Sequence, residues 1–115
     1  MVLWIGFDLQ AEIEAGSGNN WTALHYAANY GKEAVAAQLL QAGASVSAVT
    51  HNGSTPLHSA AYNSKSSITN LLLQANASPT AVDKGGYTPA QYAKRQGHGD
   101  LAARLLKAVQ AAALQ

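Results

Sequence analysis

The chain has 115 residues, a length that suits one domain able to bury roughly two thirds of the surface its unfolded form exposes. Only 11% of the residues are charged, against about 25% in an average soluble domain, and the net charge is +1, so neither nucleic acid nor an acidic membrane is an expected partner. There is no Cys, which removes disulfides, thiol catalysis and sulfur-ligated zinc together.

Met1 to Phe7 is apolar but short, lacks a basic flank, and runs into Asp8 and Glu12 without a convincing cleavage site. No run approaches the ~18 apolar residues of a membrane span. Three glycosylation sequons begin at Asn20, Asn52 and Asn76. Without a secretory signal they read as unused, and a cytoplasmic location is expected.

The rest of the chain is organised by one recurrence. Thr55-Pro56-Leu57-His58-Ser59-Ala60 returns 33 residues upstream as Thr22-Ala23-Leu24-His25-Tyr26-Ala27, and 33 downstream as Thr88-Pro89-Ala90-Gln91-Tyr92-Ala93. The period and the T-P-L-H-x-A pattern resemble the ankyrin repeat. The central copy matches at every specified position, the first lacks Pro, and the third has lost Leu and His. The resemblance implies an all-α repeat solenoid, an ankyrin-repeat stack of about three and a half helix-loop-helix units with short hairpin-like loops. It covers residues 1–115 as a single domain: a half repeat at 1–17, repeats at 18–50 and 51–83, and a capping repeat at 84–115.

In chain order, Met1 to Ala15 aligns beneath Ala34 to Ala48, as a second helix whose first helix is missing. Leu3, Trp4, Ile5 and Phe7 on that end either pack inward on the next repeat or form an apolar patch for self-association or for a docked segment. In the first full repeat Thr22 is a good N-cap for a short helix ending at Gly31. Lys32 and Glu33 open a second helix with Val35, Leu39 and Leu40 on its core face, and Gly43 stops it. The second repeat turns at Asn52-Gly53, carries Pro56 at the first helical position, and places Ile68, Leu71, Leu72 and Leu73 inward. Asn76 takes the place of the stop glycine. The third turns at Gly85-Gly86 with Leu101, Leu105 and Leu106 as its stripe. Val109 stands where a stop residue belongs, so the last helix is expected to run on to about Ala113.

Catalytic constellations are lacking. There is no G-x-S-x-G, the six acids are scattered, and Gly97-His98-Gly99 has neither a preceding strand nor a following Lys-Ser/Thr. His25 and His58 invite a metal reading. The resemblance instead implies that each imidazole ties its Thr hydroxyl to loop backbone, with neighbouring repeats roughly 10 Å apart, too far for two ligands whose bonds to one metal are about 2 Å. No cofactor, metal or enzymatic activity is expected.

The remaining expectation is a surface. By resemblance, a concave groove forms from the loop fingers before each Thr and the exposed face of each first helix. Carried over residue by residue, it comprises Asn19, Trp21, Asn29 and Tyr30, then His51, Asn52, Ser54, Tyr62 and Asn63, then Lys84, Tyr87, Arg95 and Gln96. Four of the eight aromatic residues fall on these positions, interleaved with amides, the composition of binding hot spots. The expected function is therefore a non-catalytic protein-protein interaction module that takes a partner protein or peptide in the groove, with Lys84 and Arg95 favouring an acidic end. The alternatives are a self-assembling unit joined through Leu3, Trp4, Ile5 and Phe7, and an engineered binder on the same frame. The unequal motif copies and the irregular stretch Gln74 to Pro79 count against the last.

Overall fold

The computed structural model describes residues 20–113, in which six helices follow one another: α1 (Ala23–Tyr30), α2 (Glu33–Gln41), α3 (Pro56–Tyr62), α4 (Ser66–Gln74), α5 (Pro89–Arg95) and α6 (Gly99–Ala113). Among the described residues there is no strand. The first helices α1, α3 and α5 pack side by side in a row. Each is backed by its own second helix, and α2 also touches α4.

The starts of the first helices follow from one device used three times. Thr22, Thr55 and Thr88 are N-caps in extended conformation, and each hydroxyl accepts the N–H of the residue three further on. That residue, His25, His58 or Gln91, reaches back to the Thr N–H, closing a capping box. Pro56 and Pro89 sit in the first turn of α3 and α5, where a missing N–H removes no helical bond.

The ends are equally regular. Gly31, Ser64 and Gly97 occupy the left-handed region with φ of 69°, 58° and 81° after α1, α3 and α5. Gly43 (φ 88°) and Asn76 (φ 70°) do the same after α2 and α4. There Ala44 N–H bonds Leu39 C=O and Ala77 N–H bonds Leu72 C=O, satisfying carbonyls the helix leaves open. At the matching position Val109 cannot take this conformation cheaply, and α6 continues to Ala113.

The core is Leu24, Leu39, Leu57, Ile68, Leu72, Leu101 and Leu105 set among buried alanines. Ala27, Ala28, Ala60, Ala61 and Ala93 are almost fully buried on the first helices, and their small side chains let these short helices approach closely. Leu40, Leu71 and Leu73 are partly buried against this core. Two expected core residues are not in it: Val35 is 36% exposed and Leu106 is 53% exposed. Each precedes or follows a buried neighbour, Ala36 or Leu105, and one residue along a helix turns the side chain by about 100°, off the buried stripe.

Two further ties join successive repeats at the ends of the first helices. His98 Nε2 donates to Tyr62 C=O at 3.3 Å. One repeat earlier the Lys65 side chain crosses Gly31, with Cδ and Cε only 3.2 Å from where a Cβ would stand. Gly31 therefore answers both a left-handed φ and a close approach. The half repeat expected at 1–17, with Leu3, Trp4, Ile5 and Phe7, lies outside the described residues.

Candidate functional site

The two histidines do structural work. His25 Nδ1 accepts from the Thr22 N–H at 3.1 Å and the Thr22 hydroxyl at 2.8 Å, while its Nε2–H donates to Ser54 C=O of the next repeat at 2.8 Å. His58 repeats this with Thr55 at 3.1 and 2.9 Å and with Tyr87 C=O at 2.8 Å. A carbonyl cannot donate and an N–H cannot accept, so this geometry requires the neutral imidazole with its proton on Nε2. Burial lowers the pKa of both below the ordinary 6.5, outweighing the carbonyl bonds that favour the proton. Gln91 keeps only the near half of the pattern: its Oε1 accepts from the Thr88 N–H at 2.9 Å. Among the described residues no group of three His, Cys, Asp or Glu side chains could hold a metal ion.

The loop fingers are built on Thr50 and Asp83, 33 residues apart in the sequence. Thr50 Oγ1 accepts from Asn52 and Ser54 N–H at 3.3 and 3.2 Å. Asp83 Oδ1 accepts from Gly85 and Tyr87 N–H at 3.0 Å each, and its Oδ2 accepts from the Tyr92 hydroxyl. Gly53 and Gly86 close the turns at φ 79° and 84°, conformations that Gly adopts without a Cβ penalty. The second and third fingers are linked by Lys84 N–H to Asn52 C=O at 2.9 Å. Burial pushes the Asp83 carboxyl up, but the Tyr92, Tyr87 and Gly85 donors together with nearby His58 outweigh it and hold the group below the usual carboxylate range. The Tyr92 hydroxyl, half-buried and facing that carboxylate, is pushed up to about 12.

Between fingers and first helices lies a pocket of about 280 Å³. It is lined by six of the residues expected from the sequence, Trp21, Asn29, Asn52, Ser54, Tyr62 and Asn63, together with Thr50, His58, Ser59 and Tyr92. Aromatic rings form its sides: Trp21 packs on Tyr26 at 5.0 Å between centroids, and Tyr92 packs on Tyr62 at 5.8 Å and Tyr87 at 5.3 Å. Its lining also includes hydroxyls and amides, and an Asn63 Nδ2–H to Asn29 Oδ1 bond of 2.6 Å ties α3 to α1 there.

The family model for ankyrin repeats (three copies) matches residues 3–83 and again 49–113. The chain belongs to the ankyrin-repeat family. No curated protein matches it. Ankyrin repeats generally mediate protein-protein interaction and are typically non-catalytic binding modules. Among the described residues no helix is long and apolar enough to cross a membrane.

Within this ankyrin frame the other expected residues stand apart from the pocket. Arg95 lays its guanidinium over the Tyr87 ring at 4.8 Å, so these two extend the aromatic side from Tyr92 outward. His51, Lys84 and Gln96 are exposed, the first two on the fingers and the last at the end of α5. Tyr30, 62% exposed, stacks on Tyr26 and borders a separate hollow with Glu33 and Lys65. Asn19 lies outside the described residues. Sequence reasoning missed Thr50, His58, Ser59 and Tyr92 as pocket residues. A signal for two of them was available: the position after the ladder residue reads Tyr26, Ser59, Tyr92, so a serine interrupts a tyrosine column in the middle repeat.

Proposed function

We propose that this ankyrin-repeat protein is a non-catalytic adaptor that takes an extended segment of a partner protein in its concave groove. The observation that carries the reading is the pocket itself, whose lining combines aromatic rings with hydroxyls and amides. Rings supply large contact area at small entropic cost, and amides and hydroxyls adapt their hydrogen bonds to a peptide backbone. Charge gives the segment a polarity. Asp83, the carboxylate beside the pocket, is consumed by three donors, whereas Lys84 and Arg95 are exposed on the third repeat. An acidic end of the partner therefore lies toward that repeat.

The test is affinity capture from lysate by the chain beside a Trp21→Ala/Tyr62→Ala/Tyr87→Ala version shown by circular dichroism to be equally folded. A protein held by the first and lost by the second supports the groove. Equal capture by both removes it, and capture of nothing but further copies of the chain turns the reading toward self-assembly.

A further inference from the structure

The second repeat differs from its neighbours at two groove positions at once. Before the capping Thr stand Trp21, Ser54 and Tyr87; after the ladder residue stand Tyr26, Ser59 and Tyr92. Repeats one and three therefore each carry an aromatic pair, Trp21 on Tyr26 at 5.0 Å and Tyr87 on Tyr92 at 5.3 Å, with interplanar angles of 50° and 44°. The middle repeat has two serines there, and the pocket opens over them. Its volume of about 280 Å³ gives room for one inserted side chain.

Resting on the groove reading above, we infer that the pocket over Ser54 and Ser59 receives a tyrosine side chain from an extended, acidic segment of a partner protein, which takes the place the tyrosine column leaves open. The third repeat shows what such a ring needs. Tyr92 sets its ring edge-on to His58 at 5.8 Å and donates its hydroxyl to Asp83, the residue that organises the finger. In the second repeat the finger-organising residue is Thr50, which lines the pocket together with Asn52. A tyrosine entering there buries an apolar ring against Tyr62 and Tyr92 and finds polar partners for its hydroxyl, the arrangement amphipathic rings favour. The acidic character follows from charge: Lys84 and Arg95 stand exposed on the third repeat.

Three labelled peptides with a common Ser/Thr/Gly frame test this by fluorescence anisotropy against the full chain. One carries a Tyr followed by Asp-Glu, one has Ala for the Tyr, and one has Lys-Lys for the acids. The first should bind at least about tenfold more tightly than either other, a difference of roughly 1.4 kcal/mol. Ser59→Tyr, which continues the column already present on both sides, should erase the preference for Tyr over Ala, whereas Ser64→Ala, outside the pocket, should keep it. Thermal melts verify that both variants are folded. Equal binding of the Tyr and Ala peptides, an unchanged preference in Ser59→Tyr, or binding of none of the peptides would overturn the inference. The groove reading is judged separately: if the triple substitution at Trp21, Tyr62 and Tyr87 abolishes partner capture while Ser59→Tyr leaves it intact, the groove stands and only the tyrosine anchor falls.

Discussion

The second and third repeats share one frame, and four of the positions at which they differ set the groove and the ladder. The second has Thr50, Ser54, His58 and Ser59 where the third has Asp83, Tyr87, Gln91 and Tyr92. In the second, the ladder is complete and the groove is open; in the third, the groove is filled by two rings and a carboxylate, and the ladder ends at a half-used glutamine. The difference shows that frame and recognition are carried by adjacent side chains of the same helix, about 100° apart. His58 ties to the Tyr87 C=O of the next repeat and borders the pocket beside Ser59, the residue after it.

The largest expected break in this comparison is at the ladder. His58→Ala leaves the Thr55 N–H and the Tyr87 C=O without their partner in a buried setting, and each orphaned group costs about 1–3 kcal/mol. A loss of about 3 kcal/mol in urea denaturation is expected. Gln91→Ala, at an exposed position with one such bond, should cost under about 1 kcal/mol. Equal losses would mean that His58 fills space and does not tie repeats together.

Acid sharpens the same contrast. His25 and His58 bind their proton less readily in the fold than at the ordinary 6.5, so the unfolded chain takes up protons first as pH falls. Their contribution is fully present above about pH 6.5 and diminishes below it as the unfolded state gains charge. Asp83 acts in a lower window: its pKa is held below 3.8, so its contribution is complete above that value and is lost as pH drops through the folded pKa. Denaturation midpoints measured from pH 8 to pH 3 should show a first decline beginning near neutrality that a His25→Gln/His58→Gln chain lacks.

Next in size is the third repeat's own device. Tyr92→Phe removes the hydroxyl that donates to Asp83 but keeps the ring against His58, Tyr62 and Tyr87. A hydrogen bond to a charged group contributes about 1.5–3 kcal/mol, and losing this one should lower stability by the smaller figure, since Asp83 retains two backbone donors. The loss should vanish at low pH, where Asp83 is protonated, and a deficit that persists there would place the effect in packing.

Much of this was readable before any coordinates. Thr22, Thr55 and Thr88 announced the helix starts, Gly43 and Asn76 the stops, and Val109 the run-on of α6, because each is a local rule whose cause lies within a few residues of it. What escaped depends on comparison across repeats. The stripes expected through Val35 and Leu106 failed because the choice between adjacent residues on a helix is made by the neighbouring repeat. Ser59 escaped because it is small: Ser54 beside it was expected in the groove, but a search for large recognition side chains passes over what makes room for them. Tyr92 was passed over for a related reason: its role comes from Asp83, nine residues earlier in the sequence, on the finger that precedes its helix.

At Ser64, too, the middle repeat departs from both neighbours, and the effect there should be small and favourable. It ends α3 at φ 58° where Gly31 and Gly97 end α1 and α5. A residue with a Cβ in this region costs about 1–2 kcal/mol relative to the right-handed form, and glycine removes that cost while adding entropy to the unfolded chain. Ser64 is exposed, so its side chain gives up no burial on replacement. The balance predicts that Ser64→Gly stabilises the fold by about 0.5–1 kcal/mol with no change in peptide binding, since the residue lies outside the pocket. A destabilised Ser64→Gly would mean that the hydroxyl holds the turn itself, and Ser64→Ala separates the cases: it keeps the Cβ penalty and loses only the hydroxyl, so it should match the parent if strain alone distinguishes Ser64 from its glycine neighbours.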